Sequence, residues 1–338
     1  METRYLNTGA EGFGLATVTD TNTVLDTWYP FTWLRRDAPG SSTSELAQSS
    51  LADSLRKWAG LAGQRDARRA VRTVAVKTTI ANLAVPPADL HDVYLRLHLL
   101  SQRLIEPRQA NLTGFLDRLA DVAWTTLGPC EPSEALDLLR VCRAEGVPFD
   151  VRGTFKVPRM MDYVVPDDVW IADADRVLLG GYLAPGTTVT AEGFIGVNAG
   201  TFGPCMVEGR ISLGAVVGEF SDIGGGASIM GTTSGGGKHQ VTLGKRCLLG
   251  ANAGIGISLG DDCAVEAGLY LTAGTRIRLS SGEVVKAINL SGRNGLVYRR
   301  NSQTGQIEAL ESERSWITLH PSLHRLSPQP YRFARDLR

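Results

Sequence analysis

Cysteine and histidine, which often act as nucleophiles, bases or metal ligands, number five each in this sequence. Their spacing excludes several kinds of site. The five cysteines form no CxxC pair, and no group of histidines and cysteines has the spacing of a zinc site. The stretches GGGAS and SGGGKH do not follow the GxxxxGK[ST] pattern of a nucleotide-hydrolysing loop. We expect buried, reduced thiols, which leaves carboxylates and isolated histidines as the candidates for chemistry.

The distribution of glycine indicates the fold that positions these groups. The chain contains 38 glycines, and they are concentrated between about 180 and 295. Within this region aliphatic residues recur every six positions, with a slip of four before Val217 and another before Leu259. A period of six fits neither an α-helix nor a simple hairpin array, and it is typical of a hexapeptide β-solenoid. The predicted inward positions are Ile171, Val177, Leu183, Val189, Ile195, Thr201 (an exception in type), Val207, Leu213, Val217, Ile223, Ile229, Leu243, Leu249, Ile255, Leu259, Val265, Leu271 and Ile277.

Three hexapeptides form one triangular coil of such a solenoid. Each inward aliphatic side chain stacks on its equivalent in the next coil, about 4.8 Å along the axis. Small residues permit the tight corners between the flat faces. The positions above therefore predict about six coils, which need one another because a single coil cannot bury its inner face.

Two acidic residues are spaced to meet at one corner of this solenoid. Asp175 and Glu192 are 17 residues apart, close to the length of one coil, so they fall near the same corner of adjacent coils. In a trimer that corner could face the threefold axis and gather three copies of each acid. Such carboxylates repel one another unless they are protonated or bridged by a cation, and oxygen ligands suit Mg²⁺ or Ca²⁺. The alternative is a pair of ordinary surface acids.

The period is interrupted by one insertion. Ile229 and Leu243 are 14 positions apart instead of six, which predicts a loop of about eight extra residues, roughly 232–240. Loops on a rigid scaffold often carry function. His239 lies in this loop and could act as a base that closes over a substrate.

Three domains are predicted. Residues 1–165 form an N-terminal α/β domain, 166–280 the β-helix domain, and 281–338 a small C-terminal β extension with a tail beyond 312. In the first domain, a polar, serine-rich segment at 35–50 predicts a loop. The predicted strands are 14–19, 24–28, 71–80, 150–157, 283–287 and 296–300, with a hairpin over 297–310 that turns at 304–305; the predicted helices are 51–60, 88–105, 112–125 and a segment between Pro132 and Gly146.

Two long stretches carry a specific family resemblance. They are MVEGRISLGAVVGEFSDIGGGASIMGTTSGGG at 206–237 and GKRCLLGANAGIGISLGDDCAVEAGLYLTAGT at 244–275. Shorter matches are VPRM at 157–160, DYVVP at 162–166, EGF at 192–194 and YRRNS at 298–302. The chain resembles the tetrahydrodipicolinate N-succinyltransferases, in the longer branch typical of actinobacteria, closely over about 155–305 and more loosely before that.

The resemblance implies a fold, an assembly and a reaction. It implies a left-handed parallel β-helix that forms a homotrimer, with the acyl donor in a groove between neighbouring solenoids. Succinyl-CoA would then donate its succinyl group to the amino group of ring-opened tetrahydrodipicolinate, L-2-amino-6-oxopimelate. This reaction is a step towards diaminopimelate and lysine.

The resemblance also implies roles for individual residues. Glu208 matches the catalytic carboxylate, which could take the proton of the attacking amine or attack the thioester itself. Arg210 matches a contact to succinyl-CoA, and its guanidinium could hold the free succinyl carboxylate. Asp175 and Glu192 match positions of structural magnesium. The remaining positions that match coenzyme A contacts are Gly225, Ser228, Ala251, Glu266, Ala267, Gly274, Lys286, Arg299, Arg300, Asn301 and Ser302.

Composition narrows the functional classes. Lys+Arg and Asp+Glu are both 35, so nothing in the charge balance suggests a nucleic-acid or membrane surface. No apolar run approaches the ~20 residues of a membrane-spanning helix, and the N-terminus lacks the pattern of a signal peptide, so a cytoplasmic protein is expected.

Two alternatives to succinyl transfer remain. One is an acyltransferase with another acyl-CoA donor or amine acceptor; the other is a solenoid without acyl transfer, either a scaffold or a carbonic-anhydrase-like enzyme, for which the solenoid offers only His239.

Overall fold

The computed structural model describes residues 4–36, 40–46 and 60–311. The chain divides into two compact units, with the division between Pro158 and Arg159. The predicted first domain boundary, at 165, lies a few residues beyond this division. The predicted helix at 51–60 and the tail beyond 312 lie almost entirely outside the described residues.

An antiparallel sheet forms the centre of the first unit. Its strands are β1 (Gly9–Thr19), β2 (Val24–Arg35), β3 (Ser42–Glu45), β4 (Arg65–Asp66) and β5 (Val71–Ile80). Their order in the sheet is β2-β1-β5-β3, with β4 also paired to β5. The predicted strands at 14–19, 24–28 and 71–80 are confirmed, and the first two extend further than predicted.

Two predictions for this unit are wrong in part. The segment 35–50 contains β3, because its alternating Ser and Thr residues pair with β5 from Ser42↔Thr79 to Glu45↔Val76. The predicted helix at 112–125 is helical only over α2 (Phe115–Arg118), which begins after the left-handed Gly114. The end of that segment is instead a strand, since pairing on both of its edges prevails over its helical pattern.

The other elements of the first unit follow the prediction more closely. Helix α1 (Leu90–Ser101) begins where the Asp89 side chain accepts a hydrogen bond from the Asp92 N–H, and nearly all of its side chains are buried. Helix α3 (Ala135–Ala144) ends before Gly146, as predicted. A small sheet of order β7-β6-β8 is formed by β6 (Ala123–Thr125), β7 (Gly128–Cys130) and β8 (Val151–Thr154).

The second unit contains the predicted left-handed parallel β-helix, whose coils stack as three parallel sheets. We call these sheets faces 1, 2 and 3 in the order in which the chain passes through them. Face 1 contains Trp170–Ile171, Thr188–Val189, Cys205–Val207, Ser221–Ile223, Leu248–Leu249 and Ala264–Val265. Face 2 contains Phe194–Ile195, Arg210–Ile211, Ser228–Ile229, Gly254–Ile255 and Tyr270–Leu271. Face 3 contains Tyr182–Leu183, Gly200–Thr201, Val216–Val217 and Thr242–Leu243.

The interior of the solenoid follows the six-residue period with one correction. Ile211 pairs with Ile195 and is fully buried, whereas Leu213 is 48% exposed. The first slip of four residues therefore lies between Val207 and Ile211, not before Val217, and the prediction of Leu213 as an inward residue is wrong. The corner after Val207 is two residues shorter than the six-residue period requires. The sequence conceals this because Leu213 is also aliphatic and stands six positions after Val207.

The polar exception in the interior is satisfied by a hydrogen bond. Thr201 is fully buried, and its hydroxyl lies 2.7 Å from that of Thr187. The Thr187 hydroxyl also lies within hydrogen-bonding distance of the Ala184 and Gly203 carbonyl oxygens. A buried hydroxyl without such partners would be costly, so this local network lets threonine replace an aliphatic residue.

The predicted ejected loop is confirmed between the strands that end at Ile229 and begin at Thr242. The bridge Thr232↔Gln240 closes it.

The predicted C-terminal hairpin is also confirmed, and the Gly305 N–H donates to the Asn301 carbonyl within it. None of the helices in the described parts of the chain is long and apolar enough to cross a membrane. The strands after the solenoid are Arg276–Leu279, Val284–Lys286, Leu296–Arg300 and Ile307–Glu311, and the 3₁₀ helices of this unit are Met160–Asp162, Ala174–Arg176 and Ala287–Leu290.

Candidate active site

Glu208 is held by its backbone at the corner between faces 1 and 2. It follows the inward Val207, and its N–H and that of Gly209 both donate to the Ile223 carbonyl, at 2.8 and 3.1 Å. Its side chain is half-buried, and no described residue hydrogen-bonds to or ion-pairs with the carboxylate. The next coil has Gly224 at the equivalent position. With its backbone fixed and its partners absent from the described part of the chain, this carboxylate is available to a substrate.

Arg210 and Ser228 meet beside this corner. They are register partners at the start of adjacent strands of face 2, and Arg210 Nη2 donates to Ser228 Oγ at 2.8 Å. The serine is buried, while the arginine side chain is exposed. One guanidinium N–H is used in this contact, and the remaining donors could bind an anion such as a carboxylate.

Small residues follow one another along the same corner. Gly225, Ala251 and Ala267 each stand two positions after a stacked inward residue of face 1. The Asn252 N–H donates to the Gly225 carbonyl and the Gly268 N–H to the Ala251 carbonyl, both at 2.8 Å. The structure thus brings three predicted coenzyme A contacts into one smooth strip, along which an extended chain could lie.

Glu266 lies on this strip, and its carboxylate is used in an internal contact. It accepts a hydrogen bond from the Arg300 N–H at 2.6 Å, while the Glu266 N–H donates to the Tyr298 carbonyl at 2.9 Å. Glu266 is predicted from the sequence only as a contact to coenzyme A. The structure shows that it also fixes the C-terminal hairpin against the last coil.

The charged and polar residues of the hairpin are partly engaged with one another. The guanidinium of Arg299 forms an ion pair with Glu308 at 3.3 Å, and Arg300 Nη1 donates to the Gly305 carbonyl at 3.1 Å. The Asn301 side chain donates to Glu308 and accepts from the turn backbone. Ser302 is exposed in that turn. Both arginine side chains remain largely exposed, so their charge is accessible to an anion.

Gly274 and Lys286 are brought together after the last coil. The strand Val284–Lys286 pairs antiparallel with Arg276–Leu279, and the Ala287 N–H donates to the Thr275 carbonyl at 2.8 Å. A Cβ placed on Gly274 would meet nothing within 4 Å, so its surroundings are open. Lys286 is exposed beside this opening.

Asp175 and Glu192 lie at the predicted corner, since Val177 bridges to Ile195 in the next coil. Asp175 Oδ1 accepts from Arg159 Nη1 at 2.9 Å. The hydrogen bond that Arg159 donates to Asp162, and after it the one it donates to Asp175, raise the pKa of the Arg159 guanidinium against the lowering effect of burial. Glu192 is exposed, with Oε2 3.5 Å from a Cβ placed on Gly225. Within the described residues of one chain, no group of three or more His, Cys, Asp or Glu residues could hold a metal ion.

His239 is exposed in the ejected loop, where its carbonyl accepts hydrogen bonds from the N–H and hydroxyl of Thr233.

Tyr270 is not among the residues predicted from the sequence to line the site. This residue faces outward from face 2, two strands beyond Ser228, and its ring covers Gly254. An aromatic residue directly before an inward leucine, one coil after a glycine, is the sequence signal that identifies it.

Comparison with known proteins links this geometry to one group of enzymes. The family model for the hexapeptide repeat of succinyl-transferase matches residues 240–273. A 2,3,4,5-tetrahydropyridine-2,6-dicarboxylate N-succinyltransferase of Salinispora tropica is 53% identical over 324 residues, covering 93% of this chain and 97% of that protein. A protein of the same name from Pseudomonas aeruginosa is 48% identical over 254 residues, covering 74% and 73%. A crystal structure of a putative 2,3,4,5-tetrahydropyridine-2-carboxylate N-succinyltransferase from Campylobacter jejuni superposes with a TM-score of 0.80 at 26% identity, covering 92% of this chain and 94% of that one.

Proposed function

Because this chain belongs to the 2,3,4,5-tetrahydropyridine-2,6-dicarboxylate N-succinyltransferase family, we propose that it performs the reaction of that name. Succinyl-CoA is the co-substrate, and the acceptor is the amino group of L-2-amino-6-oxopimelate, on the route to diaminopimelate and lysine. A nitrogen–carbon bond forms at the thioester carbonyl, the carbon–sulfur bond breaks, and the proton lost by the amine balances the one gained by the coenzyme A thiolate. The observation that carries this proposal is the Glu208 carboxylate, which has no partner among the described residues and lies two residues from the Arg210–Ser228 contact.

Glu208 is the proposed catalytic residue, and two routes use its carboxylate. As a general base it takes the proton of the attacking amine, a role typically worth about 10²–10⁴-fold in rate. As a nucleophile it attacks the thioester and forms an acyl anhydride, which the amine then opens. The two routes differ in one observable: only the nucleophile releases coenzyme A before the acceptor is added.

The donor is proposed to lie along the strip of small residues. Arg210 holds the free succinyl carboxylate, with Ser228 and Gly225 beside it, and the pantetheine arm follows Ala251, Glu266 and Ala267. Beyond the last coil, cationic and hydrogen-bonding groups are placed to contact the nucleotide phosphates. These groups are Lys286, Arg299, Arg300, Asn301 and Ser302, with Gly274 leaving the approach open.

A homotrimer is proposed for the assembly, because hexapeptide-repeat acyltransferases typically place the donor between neighbouring solenoids. Carboxylate oxygens are suitable ligands for a magnesium ion on the threefold axis. Glu192 is exposed, and among the described residues Arg159 contacts Oδ1 of Asp175 and no side chain contacts Oδ2. The ion would neutralise carboxylates of the three chains and take no part in acyl transfer. Light scattering gives the subunit number, and metal analysis of wild type against Glu192→Gln tests the ion. A monomer, or equal metal content in both proteins, contradicts the respective proposal.

The cytoplasm is the proposed location, since the five cysteines are free and buried, which suits a reducing compartment.

A thiol-release assay with purified protein and the dicarboxylic amine acceptor tests the reaction. We expect kcat/KM for succinyl-CoA to exceed that for acetyl-CoA by at least about 10²-fold, because a site built to bind a charged group strongly rejects a donor that lacks it. Equal or better use of acetyl-CoA would instead favour an acyltransferase with another donor, and no release with any donor would favour a scaffold.

A further inference from the structure

The outer surface of face 2 presents one row of side chains, one from each coil. The parallel register places Phe194, Arg210, Ser228, Gly254 and Tyr270 directly beside one another in that order. Neighbouring strands are about 4.8 Å apart, so Arg210 and Tyr270 are separated by roughly 14 Å along the row. The two residues between them are the smallest of the row.

Arg210 and Tyr270 each extend towards the other. The Arg210 guanidinium crosses one strand to reach Ser228 Oγ at 2.8 Å. The Tyr270 ring crosses one strand in the opposite direction and covers Gly254, so closely that a Cβ there would overlap its Cδ2, Cε2 and Cζ atoms. The remaining gap, which we call the acyl slot, lies between the guanidinium at Ser228 and the ring over Gly254, and it corresponds to about one strand spacing, roughly 5 Å.

The root of the ejected loop is attached to the coils that carry Gly254 and Tyr270. The Ser234 N–H donates to the Gly256 carbonyl at 2.9 Å, and Ser234 Oγ accepts from the Ala273 N–H at 2.6 Å. These contacts lie two or three residues further along each coil than the row itself. The acyl slot therefore has a cationic side and an aromatic side, and the loop is fixed next to the aromatic side.

We propose that Tyr270 is a specificity-determining residue whose ring limits the length of the acyl chain to that of succinyl. The inference rests on the proposed function, because it takes the Arg210–Ser228 pair as the binding point of the acyl carboxylate. The ring is 44% exposed, so it is not part of the solenoid interior that the fold requires. With its thioester carbonyl at Glu208, an acyl chain with one more methylene group carries its carboxylate past Arg210 and against the ring.

The test compares succinyl-CoA with glutaryl-CoA, which is one methylene longer, in the wild type and in Tyr270→Ala. We expect the ratio of kcat/KM for glutaryl-CoA to that for succinyl-CoA to rise about tenfold or more in Tyr270→Ala, the usual scale for one methylene in a pocket. Tyr270→Phe keeps the ring and should keep the wild-type ratio. Should Tyr270→Ala fail to fold, Tyr270→Leu shortens the side chain and should shift the ratio in the same direction.

Tyr182→Ala is the matched control, since Tyr182 also faces outward beside a glycine, Gly200, but on face 3. It should leave the ratio unchanged. A wild-type ratio in Tyr270→Ala overturns the inference, as does an equal shift in Tyr270→Phe, which would assign selectivity to the hydroxyl. Failure of the wild type to use succinyl-CoA would refute the proposed function itself, whereas good succinyl-CoA turnover with unchanged ratios would refute only the role of Tyr270.

Discussion

Arg210 and Ser228 are 18 residues apart in sequence, yet Nη2 of the arginine lies 2.8 Å from Oγ of the serine because one coil brings them side by side. The hydroxyl is buried and fixes one edge of an otherwise exposed guanidinium. Because this contact already restrains the guanidinium of Arg210, the side chain loses less conformational entropy when it binds a carboxylate. The contact therefore pre-organises the guanidinium for the anion-binding role proposed above, two residues from Glu208.

Replacing Arg210 with lysine should separate the effect of the positive charge on binding from the effect of the planar guanidinium. Lysine keeps the positive charge but lacks the planar fork. We expect KM for succinyl-CoA to rise at least about tenfold in Arg210→Lys, the scale of one hydrogen bond to a charged group, with little change for acetyl-CoA. Initial rates with both donors provide the measurement. Ser228→Ala should produce a smaller effect in the same direction, and an equal loss with both donors would argue against a carboxylate contact.

Glu208→Gln should abolish turnover without affecting the fold. The backbone N–H groups at this corner bond to Ile223, and the side chain has no partner among the described residues, so its replacement breaks no internal contact. We expect kcat to fall by at least about 10²-fold at an unchanged melting temperature. Rapid mixing of the wild type with succinyl-CoA alone then distinguishes the routes. A burst of one thiol per active site indicates the anhydride, and no burst indicates the base. Turnover near the wild-type level would remove Glu208 from the mechanism.

The candidate site was predictable to the extent that it depends on the repeat. Once the period is known, Glu208, Gly225 and Ala251 necessarily share a corner, because their inward neighbours stack. The second role of Glu266 was not predictable, since its contact with the Arg300 backbone depends on how the hairpin returns to the last coil. Sequence spacing identifies neighbours within the solenoid but does not give the path of irregular segments.

His98 should make the first unit sensitive to acid. It is fully buried in α1; Nε2 accepts a hydrogen bond from the Tyr29 N–H at 3.1 Å, and Nδ1 lies 2.7 Å from the Tyr94 carbonyl. Burial lowers the pKa of His98 from 6.5 to about 4. The unfolded chain therefore binds a proton that the folded chain does not, so stability present above pH 6.5 is lost as the pH falls towards 4. The difference between these values corresponds to about 3 kcal/mol.

Urea unfolding at pH 7 and at pH 4.5, followed by tryptophan fluorescence, measures this effect. His98→Gln should be less stable at pH 7, because it disturbs a filled interior, but should lose less stability between the two pH values than the wild type. The matched control is His239→Gln, which alters an exposed histidine and should retain the wild-type acid dependence. Equal acid dependence in His98→Gln would assign the effect to other groups.

The last prediction concerns the one inward position that the repeat misassigns. Both Ile211 and Leu213 are aliphatic and both stand at plausible distances from Val207, so periodicity alone does not choose between them. The structure does, because Ile211 is fully buried beside Ile195 and Leu213 is 48% exposed at a corner. We expect Ile211→Ala to destabilise by about 2–5 kcal/mol, the range for truncating a core aliphatic side chain. Leu213→Ala should stay within about 0.5 kcal/mol of the wild type.

Denaturant unfolding of the two variants under the same conditions makes this comparison direct, since each loses a similar number of methyl and methylene groups. The coil with Ile211 also carries Arg210 on its outer side, so loosening of this coil should lower activity as well as stability. Leu213→Ala should leave both unchanged. The reverse order of stabilities would mean that the slip of four lies before Val217. In that arrangement the strand that begins at Arg210 would shift by two residues relative to Ser228, and the anion site would not exist.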